Sequence, residues 1–158
     1  MTRGVVAALV VLLLAGCGLR PSGVSDAGRP PTGVAPGVTL YFLDGNGALR
    51  PQLRGTGHLG TVSEALAWLL TGPGDSGLGT GITAGGTTQV VVTTQPGLVV
   101  LKVPLALYEV TPRGIDQIVC TAVGVTTQSE GSRATEVQVR FTIDTPESDV
   151  RRTCPLFS

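Results

Sequence analysis

The chain has 158 residues, which is room for one domain of ordinary size. Eleven Lys and Arg balance eleven Asp and Glu, and only one of the basic residues is a lysine, so the basic footprint of a nucleic-acid binder is absent. Charged residues make up 14% and hydrophobic ones 42%, too apolar for a disordered chain, while the 23 glycines lack the three-residue period of collagen.

Chain order begins with a positive Arg3 and an unbroken apolar run over residues 5–15. A bilayer-spanning helix needs roughly twenty apolar residues, so this run is short for an anchor and has the length of a signal-peptide core. It ends in Leu14-Ala15-Gly16-Cys17, which resembles the lipobox of bacterial lipoproteins. That resemblance implies cleavage between Gly16 and Cys17, acylation of Cys17, and a chain held on the outer face of the cell membrane by more than one acyl group. Residues 1–16 are then the signal peptide, and an ordinary secretory leader with an incidental cysteine is the competing reading. Residues 17–37 follow as the lipidated cysteine and a tether rich in Gly and Pro. Such a segment buries too little to offset its ordering entropy, and as a flexible coil it reaches about 25 Å.

The folded domain is expected over residues 38–158, including a C-terminal tail. Val38-Thr39-Leu40-Tyr41-Phe42-Leu43 is rich in β-branched and aromatic residues and reads as a strand, and Asp44-Gly45-Asn46-Gly47 reads as a turn. A return strand over residues 48–54 contains Pro51, which removes a ladder donor and suits only an edge. Thr61 and Glu64 have capping-box spacing, Val62, Ala65, Leu66, Leu69 and Leu70 form one apolar helical face, and Gly72-Pro73 stops the helix. A long glycine-rich loop runs over residues 72–86, read here as mobile more than as a binding element. Residues 89–94 and 98–103 are two apolar strands joined through Pro96-Gly97, a type II turn pattern. Thr111-Pro112 opens a second helix in which Ile115, Ile118, Val119, Ala122 and Val123 keep helical spacing. Val137, Val139, Phe141 and Ile143 alternate with Glu136, Gln138, Arg140 and Thr142, the pattern of a strand with one wet face. The order ββαββαβ predicts an α+β fold, a mainly antiparallel sheet with two helices packed on one face.

These residues also carry a family resemblance. The opening strand with its Gly-rich turn, the segment Ser63-Glu64-Ala65-Leu66-Ala67-Trp68-Leu69-Leu70-Thr71-Gly72-Pro73, and Gln117-Ile118-Val119-Cys120-Thr121 resemble the GerMN domain family. So does Val137-Gln138-Val139-Arg140-Phe141, and the likeness spans residues 38–144. It implies a lipid-anchored, extracytoplasmic, non-catalytic domain of envelope or sporulation assemblies.

Candidate chemistry is sparse. With Cys17 lipidated, Cys120 and Cys154 remain as a pair in an oxidising compartment, which predicts a disulfide from the second helix to the tail; two free thiols, or a redox or metal pair, are the alternatives. His58 is the only histidine and lies in a loop with no nucleophile motif beside it. Gly72-Pro73-Gly74-Asp75-Ser76-Gly77 matches G-x-G-x-x-G, but the dinucleotide motif follows a strand, whereas this one follows a helix. Asp144, Glu147 and Asp149 show no metal-ligand spacing, so neither a metal nor a cofactor is expected. Arg50 and Arg54 share a strand face, Arg140 lies on the last strand, and Arg151-Arg152 sits near Cys154. These five arginines are the candidate contacts to an anionic envelope polymer or to lipid headgroups, with solvated surface charge as the plainer reading. The reading that results is a non-catalytic binding or scaffold module, meeting an envelope protein or a cell-wall polymer. The alternative is an envelope hydrolase using His58 or an unrecognised pair of carboxylates; capture of a small solute for a transporter ranks last.

Overall fold

The computed structural model describes residues 37–58, 60–130 and 136–157. The expected signal peptide, the expected cleavage and lipidation positions Gly16 and Cys17, and residues 18–36 of the expected tether lie outside the described residues.

Strand β1 (Gly37–Leu43) turns back into β2 (Leu49–Gly55) as an antiparallel pair. The turn is built by Asp44, whose carboxylate accepts the N–H groups of Asn46 and Ala48 at 2.9 and 3.0 Å. Gly47 completes it at a φ of 76°, a region that favours glycine. Pro51 stands opposite Tyr41 in the register, so β2 has only β1 as partner and is an edge, as the proline requires. Helix α1 (Val62–Leu70) has the expected capping box: the Thr61 hydroxyl accepts the Glu64 N–H, and Glu64 Oε2 accepts the Thr61 N–H at 2.7 Å. Ala65, Leu66, Leu69 and Leu70 are its buried face.

Thr61 N–H, then the Thr61 hydroxyl, then His58 hold the Glu64 carboxyl below the usual glutamate range. A carboxyl whose pKa is depressed by folding stabilises the fold above its unfolded pKa, and that stabilisation is lost as the pH falls through the folded value. Independently of that titration, Thr61→Ala removes the N-cap hydroxyl that accepts the Glu64 N–H and is expected to cost about 1 kcal/mol. The stability gap between the natural chain and Glu64→Gln should close on acidification below the ordinary glutamate range, which thermal melts over a descending pH series would show.

Strands β3 (Val91–Gln95) and β4 (Leu98–Lys102) form a second hairpin, with Gly97 at a φ of 74° as the type II turn requires. Helix α2 (Pro112–Glu130) then crosses over to β5 (Glu136–Arg140), and a short strand β6 (Arg151–Arg152) closes the sheet order β3-β4-β5-β6. The α+β class and the two helices are as the sequence implies. Three details differ. The strands divide into two sheets, because β1 and β2 pair only with each other. The tail contributes a sixth strand, β6. The β4–β5 pair is parallel, as a strand–helix–strand crossover demands.

Helix α2 also departs from the expected single apolar face. It packs against β1 and α1 as well as β5, and residues 117–126 are buried all round. A helix placed between two sheets has no wet side over its middle turns. Two of its polar residues consequently face backbone. The fully buried Gln117 donates its amide N–H to Tyr41 O at 3.0 Å, and its carbonyl accepts the Gly81 N–H at 2.7 Å. The fully buried Thr121 accepts the Tyr41 N–H at 3.1 Å. Helix side chains thus stand in for the missing neighbour strand on the outer edge of β1. One step along, Leu43 and Gly79 exchange two backbone hydrogen bonds on the same edge. Through Gly79, Gly81 and the Ile82–Val110 bridge, the long loop over residues 72–86 is fastened at its centre, more tightly than its glycine content suggests.

Candidate functional site

The core face of the four-stranded sheet carries Val99, Leu101, Val137 and Val139, all buried. The opposite face carries Val100 and Lys102 on β4 and Glu136, Gln138 and Arg140 on β5, in the alternation expected from the sequence. Parallel register places Lys102 directly beside Arg140. Adjacent like charges on one sheet face are destabilising. Only one of the two is neutralised: Arg140 pairs with Asp144 at 3.1 Å, whereas Lys102 has no carboxylate in salt-bridge contact among the described residues. A groove of about 340 Å³ runs over this pair, with Val91, Thr93, Thr142 and the carboxylate-bearing Asp144 on its walls. An ammonium and a guanidinium with two threonines alongside suit a carboxylate or a phosphate group.

The other arginines are not brought together. Arg50 pairs with Asp44 at 2.9 Å, and the Asp44 carboxyl is held below the usual range by the Ala48 N–H, then Arg50, then the Asn46 N–H. Arg54 lies 5.7 Å from the Trp68 ring and donates to Gly72 O at 3.3 Å. Arg151 and Arg152 separate as strand neighbours must, the first meeting Glu136 at 3.5 Å and the second Glu147. Of the five arginines expected as contacts, only Arg140 stands in the groove with Lys102; four carry a carboxylate partner and the fifth an aromatic one. Lys102 gave no signal of its own in the sequence, since only the non-local register shows its neighbour.

His58 is exposed, with Nε2 3.6 Å from Glu64 Oε1, so it meets a carboxylate already engaged in capping α1. Among the described residues no group of His, Cys, Asp and Glu is arranged to hold a metal ion. Cys120 and Cys154 form a disulfide with their Cα atoms 4.7 Å apart, joining the middle of α2 to the tail. No protein-family model, curated protein or solved structure matches the chain.

Proposed function

We propose that this chain is a lipid-anchored module of the bacterial cell envelope, related to GerMN domains, that binds an anionic group of the cell wall without performing catalysis. Acylation at Cys17 would hold it at the membrane, and residues 18–36 have the composition of a flexible tether. The observation that carries the binding role is Lys102 beside Arg140 on the open sheet face, where Asp144 neutralises only Arg140 and an anion would pair with Lys102. A wall polymer bearing phosphate or carboxylate groups supplies that anion repeatedly, so many weak contacts add up.

Co-sedimentation of the detergent-solubilised full chain with purified cell walls tests this reading. Retention is expected at low salt and should weaken at moderate salt, as exposed charges are screened beyond about 10 Å at 0.1 M. Lys102→Ala with Arg140→Ala should reduce retention by about tenfold, equivalent to two modest charge contacts. Arg50→Ala with Arg54→Ala should leave it unchanged. Retention indifferent to the first pair would remove the groove as the binding site, and no retention would exclude the wall and leave an acidic envelope protein to be sought by cross-linking.

A further inference from the structure

A second cleft shares none of its described lining residues with the cationic groove, and its chemistry is different. Its origin is a stripe on α2. Gln117, Thr121, Gly124 and Gln128 are spaced four, three and four residues apart, and so lie on one helical face. The first two run beneath the outer edge of β1 and bond the backbone of Tyr41. Strand alternation turns the backbone of Thr39, two residues away, toward the same edge. At that point the helix offers Gly124 and no side chain. A cleft of about 470 Å³ opens there, bounded by Thr39 and Tyr41 from β1, Gly124, Thr127 and Gln128 from α2, and Phe157 from the tail.

Gly124 is not demanded by packing. A Cβ at that position would stand 3.5 Å from Tyr41 Cε2, an ordinary contact. Glycine is nonetheless the worst helix former after proline. What its missing side chain preserves is the cleft. The disulfide helps to fix the opposite wall, because Cys154 holds the tail that carries Phe157. The Tyr41 and Phe157 rings meet edge to face, with centroids 5.9 Å apart and an interplanar angle of 81°.

The lining restricts the ligand. Among the described residues it offers the hydroxyls of Thr39 and Tyr41 and the amide of Gln128, with no carboxylate, ammonium or guanidinium. Burial pushes the Tyr41 phenol up, so it stays neutral at physiological pH. A charged ligand would find no counter-charge among these described residues, and a wholly apolar one would strip water from the hydroxyls and amide without replacing their hydrogen bonds. A pyranose satisfies both halves: its C–H face lies on the exposed Phe157 ring, while its hydroxyls donate to and accept from neutral polar groups. The volume is ordinary for a small-molecule pocket and holds a mono- or disaccharide. From this juxtaposition we infer that the cleft between the edge of β1, Gly124 and Phe157 is a binding site for a neutral sugar ring. The inference does not depend on the anionic groove and stands or falls separately.

Isothermal titration calorimetry of the full chain in a detergent without sugar headgroups tests it, with N-acetylglucosamine, its β-1,4-linked trimer and glucuronate as probes. The neutral sugars should bind in the millimolar range and glucuronate should not. Equal affinity for monomer and trimer marks a site for a free sugar, whereas tighter binding of the trimer marks a site for a glycan segment. Phe157→Ala should weaken binding by about tenfold, the upper end for one aromatic contact. Gly124→Ala should raise the melting temperature while weakening binding, and Gly124→Leu should abolish binding by filling the cleft. The opposed effects of Gly124→Ala on stability and affinity separate a binding role from a structural one, and keep the test open should the leucine variant fail to fold. The inference is overturned if neither neutral sugar binds at about 50 mM, more than tenfold above a millimolar Kd. Equal binding of glucuronate, or binding indifferent to both Gly124 substitutions and to Phe157→Ala, would overturn it as well.

Discussion

Reducing the Cys120–Cys154 disulfide is expected to lower the stability of the fold by about 3–4 kcal/mol. The bridge closes a loop with a sequence separation of 34, and the chain-entropy model assigns a loop of that length this order of stabilisation. Both cysteines are buried, Cys120 in the middle of α2 and Cys154 just after β6. Besides the bridge, the described tail is held by β6, only two residues long, by partly exposed ion pairs of its arginines, by the Gln138 amide on Ser148 O and by Phe157 against Tyr41. Melting curves with and without reductant would read the effect as a drop on the order of 10 °C. Cys120→Ala with Cys154→Ala should melt close to the reduced natural chain, showing that the crosslink matters more than the sulfur volume. A reduced protein that melts where the oxidised one does would show that the tail is held without the bridge.

Gln117→Leu is expected to be nearly as damaging although it keeps the side-chain volume close and adds apolar surface. The amide of Gln117 satisfies two backbone groups, the buried Tyr41 carbonyl at 3.0 Å and the part-buried Gly81 N–H at 2.7 Å. Leaving a buried backbone group unpaired costs about 1–3 kcal/mol, so the pair should cost about 2–5 kcal/mol. Thr121→Val removes one such partner, from the Tyr41 N–H, and should cost about half as much. Chemical denaturation would give the stability changes. Amide exchange at Gly81 should quicken in the Gln117 variant and stay slow in the Thr121 variant, because only Gln117 reaches the loop. A Gln117→Leu protein as stable as the natural chain would mean that the edge of β1 finds other partners.

How far the sequence reached differs from element to element, for identifiable reasons. The capping box at Thr61 and Glu64, the Asp44 turn and the Pro96-Gly97 turn involve residues within four positions of one another, so local spacing is enough to read them. The apolar face of α2 was legible for the same reason, through Ile115, Ile118 and Val119. Its buried Gln117 and Thr121 were not: a periodicity rule treats polar residues as outward, and nothing in the sequence says that this helix has a sheet on each side. Gly124 is equally opaque, since a glycine inside a helix looks like a local flaw until β1 and the tail are set around it.

The charges follow the same division. Arg50 and Asp44 are six positions apart across a tight turn, and the pairing follows from the hairpin. Arg151 finds Glu136 fifteen residues back, and Lys102 comes beside Arg140 only through the parallel register of β4 and β5. A list of five arginines therefore named one member of the groove and missed the lysine next to it.

The sequence by itself determined the helices, the hairpins, their order and the two cysteines available for a crosslink, because these follow from propensities and spacings over a few residues. Only the tertiary structure decided that α2 runs between two sheets, which arginines are neutralised, and where the two clefts open. Those outcomes depend on which distant residues meet, and the chain reaches them by burying apolar surface and pairing backbone groups across the whole fold.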